Sequence, residues 1–215
     1  MAAMPEVKIC GLKTPEAVAA ALEGGAAFVG FVFFPASPRN LDPAEARALA
    51  APARGRARVA AVTVDPDDAL LDRIMAELKP DLIQLHGREP PARVAEVRER
   101  TGAAAVKAIP ISAAEDFAAL AEYEGVADYL MLDAKAPAGA ALPGGNGAAF
   151  DWALPAGRRF ARPWFLAGGL DPYNVAEALR LSGAPLVDVS SGVERGPGYK
   201  DPRLISAFLD AVRRA

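Results

Sequence analysis

The single cysteine and the single histidine of this 215-residue chain each end a short apolar segment that carries a second polar side chain two residues earlier. A third pair near the C-terminus has the same spacing. Residues two apart lie on one face of a β-strand, so the members of each pair would project together. Thiol, imidazole and carboxyl groups that share one space can perform general acid–base catalysis. The pairs are Lys8 and Cys10, Gln84 and His86, and Asp188 and Ser190.

Each of these residues also has a structural interpretation. A lone cysteine is commonly a small buried hydrophobe, and His86 could be a strand-end histidine without a function. Lys8 and Lys107 could pair with other charges, and Asp133 could cap a loop. Unrelated structural roles would scatter polar residues over both ends of the strands. Because these residues gather at one end, the pattern favours a ligand site.

Two loops in the last quarter of the chain indicate a phosphate site. Glycines let backbone N–H groups approach an anion closely. The residues are Gly168 and Gly169 in one loop, and Ser190, Ser191 and Gly192 in the other. These two loops predict a phosphorylated small molecule as ligand.

Arg39 lies in a separate Ser-Pro-Arg-Asn loop. It is a candidate for binding a carboxylate through its planar guanidinium group.

An alternation of strands and helices would position these residues. Short segments rich in Val, Ile, Leu and Phe alternate with longer stretches of helical spacing. The expected strands are 7–10, 27–33, 58–64, 81–85, 105–109, 129–133, 164–167 and 186–190. Helices are expected after Thr14, Asp42, Asp67, Glu89, Ser112, Asp171 and Asp201, with a short one near 150–154.

Eight strand–helix units of about 27 residues favour an α/β fold, a closed (β/α)₈ TIM barrel that forms a single domain over residues 1–215. The rival is a doubly wound open sheet, which usually has fewer strands, and no G-x-G-x-x-G follows the first strand. In a barrel the active site lies at the C-terminal ends of the strands. The polar pairs would point into the barrel mouth, joined by Lys107 and Asp133. Residues 134–149 are expected to form a long loop of the kind that often acts as a lid.

Composition excludes several function classes. The net charge is −3 and the basic residues are scattered, so we expect no nucleic-acid partner. One cysteine and one histidine leave a zinc or two-metal site short of ligands, so no metal is expected. The longest apolar stretch, 26–34, is too short to span a membrane, and residues 1–8 lack the apolar core of a signal peptide. We therefore expect a cytoplasmic protein with no membrane partner.

Seven segments form one pattern along the chain. They are Lys8-Ile9-Cys10-Gly11; Phe31 through Ser37-Pro38-Arg39; Gln84-Leu85-His86-Gly87; Leu132-Asp133; Gly144-Gly145-Asn146-Gly147 with Phe150-Asp151-Trp152; Ala167-Gly168-Gly169-Leu170; and Asp188 through Glu194 with Pro197 through Asp201. Each is weak alone, but in this order they resemble the phosphoribosylanthranilate isomerase family of tryptophan biosynthesis from end to end.

The resemblance implies a (β/α)₈ barrel without cofactor or metal. It implies an Amadori rearrangement of N-(5-phosphoribosyl)anthranilate to 1-(2-carboxyphenylamino)-1-deoxyribulose 5-phosphate. Asp133 would be the general acid that protonates the furanose ring oxygen, and Cys10 the general base that removes the proton from the carbon bearing the 2-hydroxyl. Arg39 would bind the anthranilate carboxylate. The other expected substrate contacts are Gln84, His86, Gly168, Gly169, Asp188, Ser190, Ser191 and Gly192.

The implied roles place demands on both groups. A free thiol has a pKa of about 8.5 and must lose its proton, so we expect Lys8, on the same strand face, to favour the Cys10 thiolate. Asp133 must instead hold its proton until it is donated. Asn146 stands where the family commonly has threonine, which bears on closure over the substrate rather than on the chemistry.

Three alternatives stay open at this point. The isomerase of histidine biosynthesis performs the same rearrangement on a larger substrate but uses an aspartate where this chain has Cys10. Ribulose-phosphate epimerase needs a metal site for which His86 alone is insufficient. A noncatalytic barrel that binds a phosphorylated metabolite or a partner protein predicts binding that survives loss of Cys10 and Asp133. The sequence is compatible with a monomer or a homodimer.

Overall fold

The computed structural model describes residues 4–136, 139, 144, 145, 147 and 149–215. Eight parallel strands pair in chain order, and the first also pairs with the last, so the sheet closes on itself. The predicted barrel is confirmed, and the open sheet is wrong. The strands are β1 (Glu6–Cys10), β2 (Phe28–Phe33), β3 (Arg58–Thr63), β4 (Leu82–Leu85), β5 (Ala104–Ile111), β6 (Tyr129–Ala134), β7 (Trp164–Leu166) and β8 (Leu186–Val189).

The described residues contain seven α-helices outside the sheet. No helix among them is both long enough and apolar enough to cross a bilayer. The helices are α1 (Pro15–Glu23), α2 (Pro43–Ala50), α3 (Asp68–Glu77), α4 (Pro91–Thr101), α5 (Leu120–Tyr123), α6 (Val175–Ser182) and α7 (Pro202–Arg214). Short 3₁₀ helices span Ala51–Ala53, Ala114–Ala119 and Ser191–Val193, and a two-stranded hairpin joins β9 (Glu194–Gly196) to β10 (Tyr199–Lys200).

Helix starts follow the capping residues expected from the sequence. The side chains of Thr14, Asp67 and Asp201 accept hydrogen bonds from backbone N–H groups in the first turns of α1, α3 and α7. Asp42 and Glu45 form a reciprocal capping box at the start of α2. Each cap satisfies donors that the helix itself leaves without partners. The sequence signals therefore locate these helices accurately.

Two helix predictions need correction. The short helix expected near 150–154 is wrong, because this segment forms turns. The helix expected after Asp171 begins only at Val175, because Asp171 accepts hydrogen bonds from the N–H groups of Tyr173 and Asn174 and holds the chain in a turn first. The segment after Ser112 starts as the 3₁₀ helix and becomes the one-turn α5.

The two faces of the strands separate as the alternation predicts. Outward residues such as Ile9, Ile83 and Val187 belong to the apolar core between the sheet and the helices. Residues that point into the barrel near the N-terminal ends of the strands, including Phe28 and Phe165, form a second apolar cluster. The polar inward residues lie above this cluster, at the C-terminal ends of the strands, so the fold collects them at one mouth.

Lys107 does not join the barrel mouth, and that prediction is wrong. It lies in register with Leu85 and Leu130, which are part of the outer core, so its side chain points away from the barrel interior. Its Nζ lies 2.7 Å from Glu89 Oε2 and donates to the Gly87 carbonyl at 2.8 Å. Both partners of this ion pair are almost fully buried. The pair therefore anchors the loop that follows β4.

We expect Lys107→Met to lower the free energy of unfolding by about 3 to 5 kcal/mol, because it leaves the buried Glu89 carboxylate without its cation. Urea denaturation measures the loss. The double variant Lys107→Met/Glu89→Gln is the matched control and should recover part of the stability, since it removes the unpaired charge. A loss below about 1 kcal/mol in the single variant, typical of an exposed pair, would contradict the anchoring role.

Candidate active site

A pocket opens at the C-terminal ends of the barrel strands, and the predicted site residues converge on it. All of them line the pocket except Gly192, which lies in the adjoining 3₁₀ turn. The convergence arises because the carboxyl ends of all eight strands meet at this face. The predicted residues that line it are Cys10, Arg39, Gln84, His86, Asp133, Gly168, Gly169, Asp188, Ser190 and Ser191.

Cys10 ends β1 and packs inside the barrel with Val32 and Val62. Its residue surface is 6% exposed. Burial raises the pKa of the Cys10 thiol; the charge of Lys8 opposes this and the charge of Asp188 adds to it, and the net pKa lies above the ordinary value. Lys8 therefore acts in the expected direction, but burial outweighs its effect.

Lys8 and Asp188 form a buried ion pair below Cys10. The parallel pairing of β1 with β8 places the two residues in register, and Lys8 Nζ lies 2.8 Å from Asp188 Oδ1. Burial alone would lower the pKa of Lys8, but the charges of Asp188 and Cys10 outweigh it and raise that pKa. Asp188 was predicted as a substrate contact. One of its carboxylate oxygens is engaged by Lys8.

Asp133 sits near the end of β6 with its side chain 10% exposed. Its Oδ1 accepts a hydrogen bond from the Ala134 N–H at 2.9 Å, and its Oδ2 lies 2.9 Å from His86 Nε2. The other ring nitrogen, His86 Nδ1, lies 2.9 Å from Gln84 Nε2. Gln84, His86 and Asp133 therefore form a continuous chain of polar contacts along the pocket wall.

Arg39 is 5% exposed and is held by Glu194, which was not among the predicted site residues. Its Nε and Nη2 donate to Glu194 Oε1 and Oε2 at 2.7 and 2.9 Å. Gly11 has φ of +77°, and a Cβ there would approach Arg39 Cδ to 2.7 Å, so only glycine fits beside this side chain. In the sequence, Glu194 stands out only as the end of the motif that starts at Asp188. Its contact with Arg39 could not be predicted, because the two residues lie 155 positions apart.

Glu194 also links the hairpin to the end of β8. It lies in β9, and Lys200 Nζ of β10 donates to its Oε1 at 2.5 Å and to the Ser190 carbonyl at 3.0 Å. Burial alone would raise the pKa of Glu194, but hydrogen bonding from Arg39 and the charge of Lys200 lower it below the ordinary value. Glu194 is therefore a carboxylate that fixes Arg39 at the rim of the pocket.

The two glycine loops pack tightly on one another and on β6. Gly168 has φ of +85°, and a Cβ there would lie 2.6 Å from the Ala134 nitrogen. A Cβ at Gly192 would lie 1.9 Å from the carbonyl oxygen of Leu170. These contacts require glycine and leave the loop backbone uncovered by side chains. Ser190 is held beside Cys10, because its Oγ donates to the Cys10 carbonyl at 3.3 Å.

The described part of the 134–149 loop reaches the pocket. Gly144 and Gly145 line it, and a Cβ at Gly144 would lie 2.5 Å from His86 Nε2. The Gly145 carbonyl accepts a hydrogen bond from Arg39 Nη2 at 3.4 Å. Asn146 lies outside the described residues, as does much of the loop, so the lid function stays a prediction.

The pocket is lined by one thiol, two carboxyl groups, one imidazole and one guanidinium group, together with the backbone of the glycine loops. Within the described ranges, no group of three or more His, Cys, Asp or Glu side chains is arranged to hold a metal ion. A thiol on β1 and a carboxyl group on β6 are separated around the barrel by β7 and β8. Such an arrangement suits proton removal and proton donation at different atoms of one small ligand.

Comparison with known proteins gives a consistent result. The family model of N-(5'phosphoribosyl)anthranilate (PRA) isomerase matches residues 7–211. The N-(5'-phosphoribosyl)anthranilate isomerase of Caulobacter sp. (strain K31) is 63% identical over 212 residues, which cover 98% of this chain and 100% of that protein. The similarity therefore spans nearly the whole chain.

Solved structures agree. The crystal structure of phosphoribosyl anthranilate isomerase from Thermotoga maritima has a TM-score of 0.88 to this chain at 32% identity, covering 99% of this chain and 100% of that one. A phosphoribosyl anthranilate isomerase in complex with reduced 1-(o-carboxyphenylamino)-1-deoxyribulose 5-phosphate has a TM-score of 0.85 at 31% identity, with the same coverage. Both the sequence and the backbone are thus similar to those of one group of isomerases.

Proposed function

The chain belongs to the N-(5'-phosphoribosyl)anthranilate isomerase family, and from that premise we propose that it catalyses the Amadori rearrangement of N-(5'-phosphoribosyl)anthranilate in tryptophan biosynthesis. One observation carries the proposal beyond family membership. The only cysteine and Asp133 line the same pocket, which is bordered by Arg39 and by the two glycine loops. These are the groups that the reaction needs.

The first step assigns Asp133 the role of general acid. Its carboxyl proton is transferred to the furanose ring oxygen while the bond between that oxygen and carbon 1 breaks. The ring opens to a protonated Schiff base, and Asp133 becomes a carboxylate. The hydrogen bonds from the Ala134 N–H and the contact with His86 are suited to stabilising this carboxylate.

The second step assigns Cys10 the role of general base. The thiolate removes the proton from carbon 2, and the electron pair of the broken bond moves into the Schiff base to give an enolamine. The enolamine then tautomerises to the ketone without a net change in protons. The thiol of Cys10 must lose a proton and the Asp133 carboxylate must regain one before the next turnover, and solvent supplies this exchange.

Arg39 is the proposed contact for the anthranilate carboxylate. Glu194 holds the Nε and Nη2 side of the guanidinium group. Among the described residues no acceptor is bonded to Nη1, and Arg39 lines the pocket. We therefore propose that Nη1 makes the charge-assisted hydrogen bond to the substrate, while Glu194 sets its direction.

The glycine loops are the proposed phosphate site. In this fold, phosphate groups are frequently bound by the loops after strands 7 and 8. In this protein, close backbone contacts leave no room for a side chain at Gly168 in the first loop or at Gly192 in the second. The residues proposed for the phosphate are Gly168, Gly169, Ser190, Ser191 and Gly192. Gln84, His86 and Asp188 stay predicted contacts of the substrate.

Turnover of the substrate tests this function directly. Enzymatically generated phosphoribosylanthranilate is fluorescent, so its decay with purified protein reports the reaction. We expect turnover by the wild type and by Glu177→Gln, a matched control on the exposed face of α6. Binding of the reduced product analogue without turnover by the wild type would instead support the noncatalytic barrel.

Glu194→Gln is expected to raise KM by about 10-fold, with a smaller change in kcat. The amide can still bond to Arg39 but lacks the charge that orients it, and charge-assisted hydrogen bonds contribute about 1.5 to 3 kcal/mol. Initial rates measured against Glu177→Gln check this prediction. A variant that lost kcat while keeping the wild-type KM would contradict a role in binding the carboxylate.

The oligomeric state and the cellular location stay predictions. A monomer and a homodimer are both compatible with the barrel, and analytical ultracentrifugation would distinguish them. We propose a cytoplasmic enzyme without nucleic-acid or membrane partners, whose ligand is the phosphorylated sugar–anthranilate substrate. The net charge of −3 supports the absence of a nucleic-acid partner.

A further inference from the structure

The buried amide of Gln84 has a contact pattern that packing alone does not require. Gln84 is 1% exposed. Its Nε2 lies 2.9 Å from His86 Nδ1 and 3.3 Å from Met131 Sδ. Its Oε1 is buried without a hydrogen-bond partner among the described residues. An unpaired buried carbonyl costs about 1 to 3 kcal/mol, whereas an apolar side chain would fill the same volume without that cost.

The contact with Gln84 determines where the proton of a neutral His86 lies. An amide nitrogen can only donate a hydrogen bond, so His86 Nδ1 must accept and therefore carries no proton. The ring proton is then on Nε2, 2.9 Å from Asp133 Oδ2, to which it donates. The direction of every hydrogen bond from Gln84 to Asp133 follows from this one amide.

The hydrogen bond that His86 donates to Asp133 is most important after Asp133 has transferred its proton. When Asp133 has given its proton to the substrate, its carboxylate carries a full negative charge, and only 10% of its side chain is exposed. A hydrogen bond from His86 to that charge is stronger than one to the neutral acid. The opposite tautomer would present a lone pair to the carboxylate and would repel it.

We propose that Gln84 is a positioning residue that holds His86 in the Nε2–H tautomer, so that His86 stabilises the Asp133 carboxylate formed in the reaction. The inference rests on the proposed role of Asp133 as general acid. It assigns Gln84 to the orientation of the acid rather than to contact with the substrate. Met131 Sδ, a weak acceptor, is the other hydrogen-bond partner of the amide nitrogen.

The single histidine of the chain makes the tautomer directly observable. Nitrogen-15 NMR of the labelled protein shows one pair of ring nitrogens, whose chemical shifts report which of them carries the proton. In the neutral imidazole of the wild type we expect the proton on Nε2. Gln84→Met, which keeps the length but removes the amide, should give a mixture of tautomers. Gln84→Glu, whose carboxylate only accepts, should move the proton to Nδ1.

Kinetics provide a second readout. The interaction is strongest when charge develops, so its loss should lower kcat and leave KM unchanged. We expect a fall in kcat of about 10-fold for Gln84→Met and up to about 100-fold for Gln84→Glu, below the roughly 10⁴-fold cost of a wrong tautomer when the histidine itself is the catalytic base. Met131→Leu is the packing control and should leave both the tautomer and kcat unchanged.

Several results would overturn the proposal. They are a neutral wild-type imidazole with its proton on Nδ1, an unaltered tautomer in both Gln84 variants, or an equal loss of kcat in Met131→Leu. Should Gln84→Met fail to fold, Gln84→Glu decides the question alone. The tautomer measurement needs no substrate, so its failure is distinct from failure of the proposed function, which would appear as absent turnover in the wild type.

Discussion

Asp133→Asn is expected to lower kcat by about 10²- to 10⁴-fold, the range typical of a lost general acid. Asparagine has nearly the same shape, but its single oxygen can replace only one of the two carboxylate oxygens, which contact the Ala134 N–H and His86. It has no acidic proton for the furanose ring oxygen. Ring opening should therefore become limiting while KM stays close to the wild-type value, and steady-state decay of substrate fluorescence measures both.

Binding is the control for Asp133→Asn. The variant should bind the reduced product analogue as tightly as the wild type, because the proposed phosphate and carboxylate contacts do not involve residue 133. A loss of activity below about 10-fold would contradict the role of Asp133 as acid. An equal loss of analogue binding would indicate a damaged pocket instead.

Cys10→Ala should have an effect of similar size. Removing the thiol deletes the only group on β1 proposed to take the proton from carbon 2, so we expect kcat to fall by about 10²- to 10⁴-fold. The substitution removes one sulfur from a small apolar cluster with Val32 and Val62, which limits its effect on folding. Thermal unfolding of the variant checks that stability is retained, and activity above about one tenth of the wild type would contradict the assignment.

The raised pKa of Cys10 also predicts a pH dependence. The thiolate is the reactive form, and burial makes it scarcer at neutral pH than in an ordinary thiol. Activity of the free enzyme should therefore rise with pH through and beyond the range around 8.5 where free thiols titrate. Thiolate absorbance, measured against pH with the Cys10→Ala protein as blank, should follow the same curve.

Lys8→Met should move that curve to still higher pH, because Lys8 opposes the effect of burial and its loss leaves Asp188 uncompensated. The double variant Lys8→Met/Asp188→Asn, which removes both charges, should show a smaller shift. An unchanged pKa of Cys10 in Lys8→Met would reject the contribution of the lysine.

Local patterns in the sequence predicted the barrel and most of the pocket. The two-residue spacing of Lys8 with Cys10 placed both inside the barrel, and side chains such as Asp42 marked helix starts. These signals work because strand faces and helix caps depend on neighbours a few residues away. The same local signals failed for the segment near 150–154. Asp151 accepts a hydrogen bond there from the Ala153 N–H, as a cap would, but Pro155 disfavours helical backbone at the preceding residue.

Contacts between distant residues could not be predicted. Apolar residues occupy both faces of β5, so the sequence does not show which face carries Lys107. The ion-pair partner of Lys107 is Glu89, which lies on the loop after β4. The pairing of Arg39 with Glu194 depends on how the loop after β2 meets the hairpin after β8. The sign of the Cys10 pKa shift depends on burial, which only the closed barrel provides.

A crystal structure with the reduced product analogue bound would show whether Asp133 and Cys10 reach the reacting atoms. The proposed mechanism predicts that a carboxyl oxygen of Asp133 lies within about 2.6 to 3.2 Å of the oxygen on carbon 4 of the analogue, the former ring oxygen. It predicts the Cys10 sulfur at the opposite side of the ligand, within about 3.5 Å of carbon 2. An analogue bound with either group out of reach, or with both groups against the same atom, would contradict it.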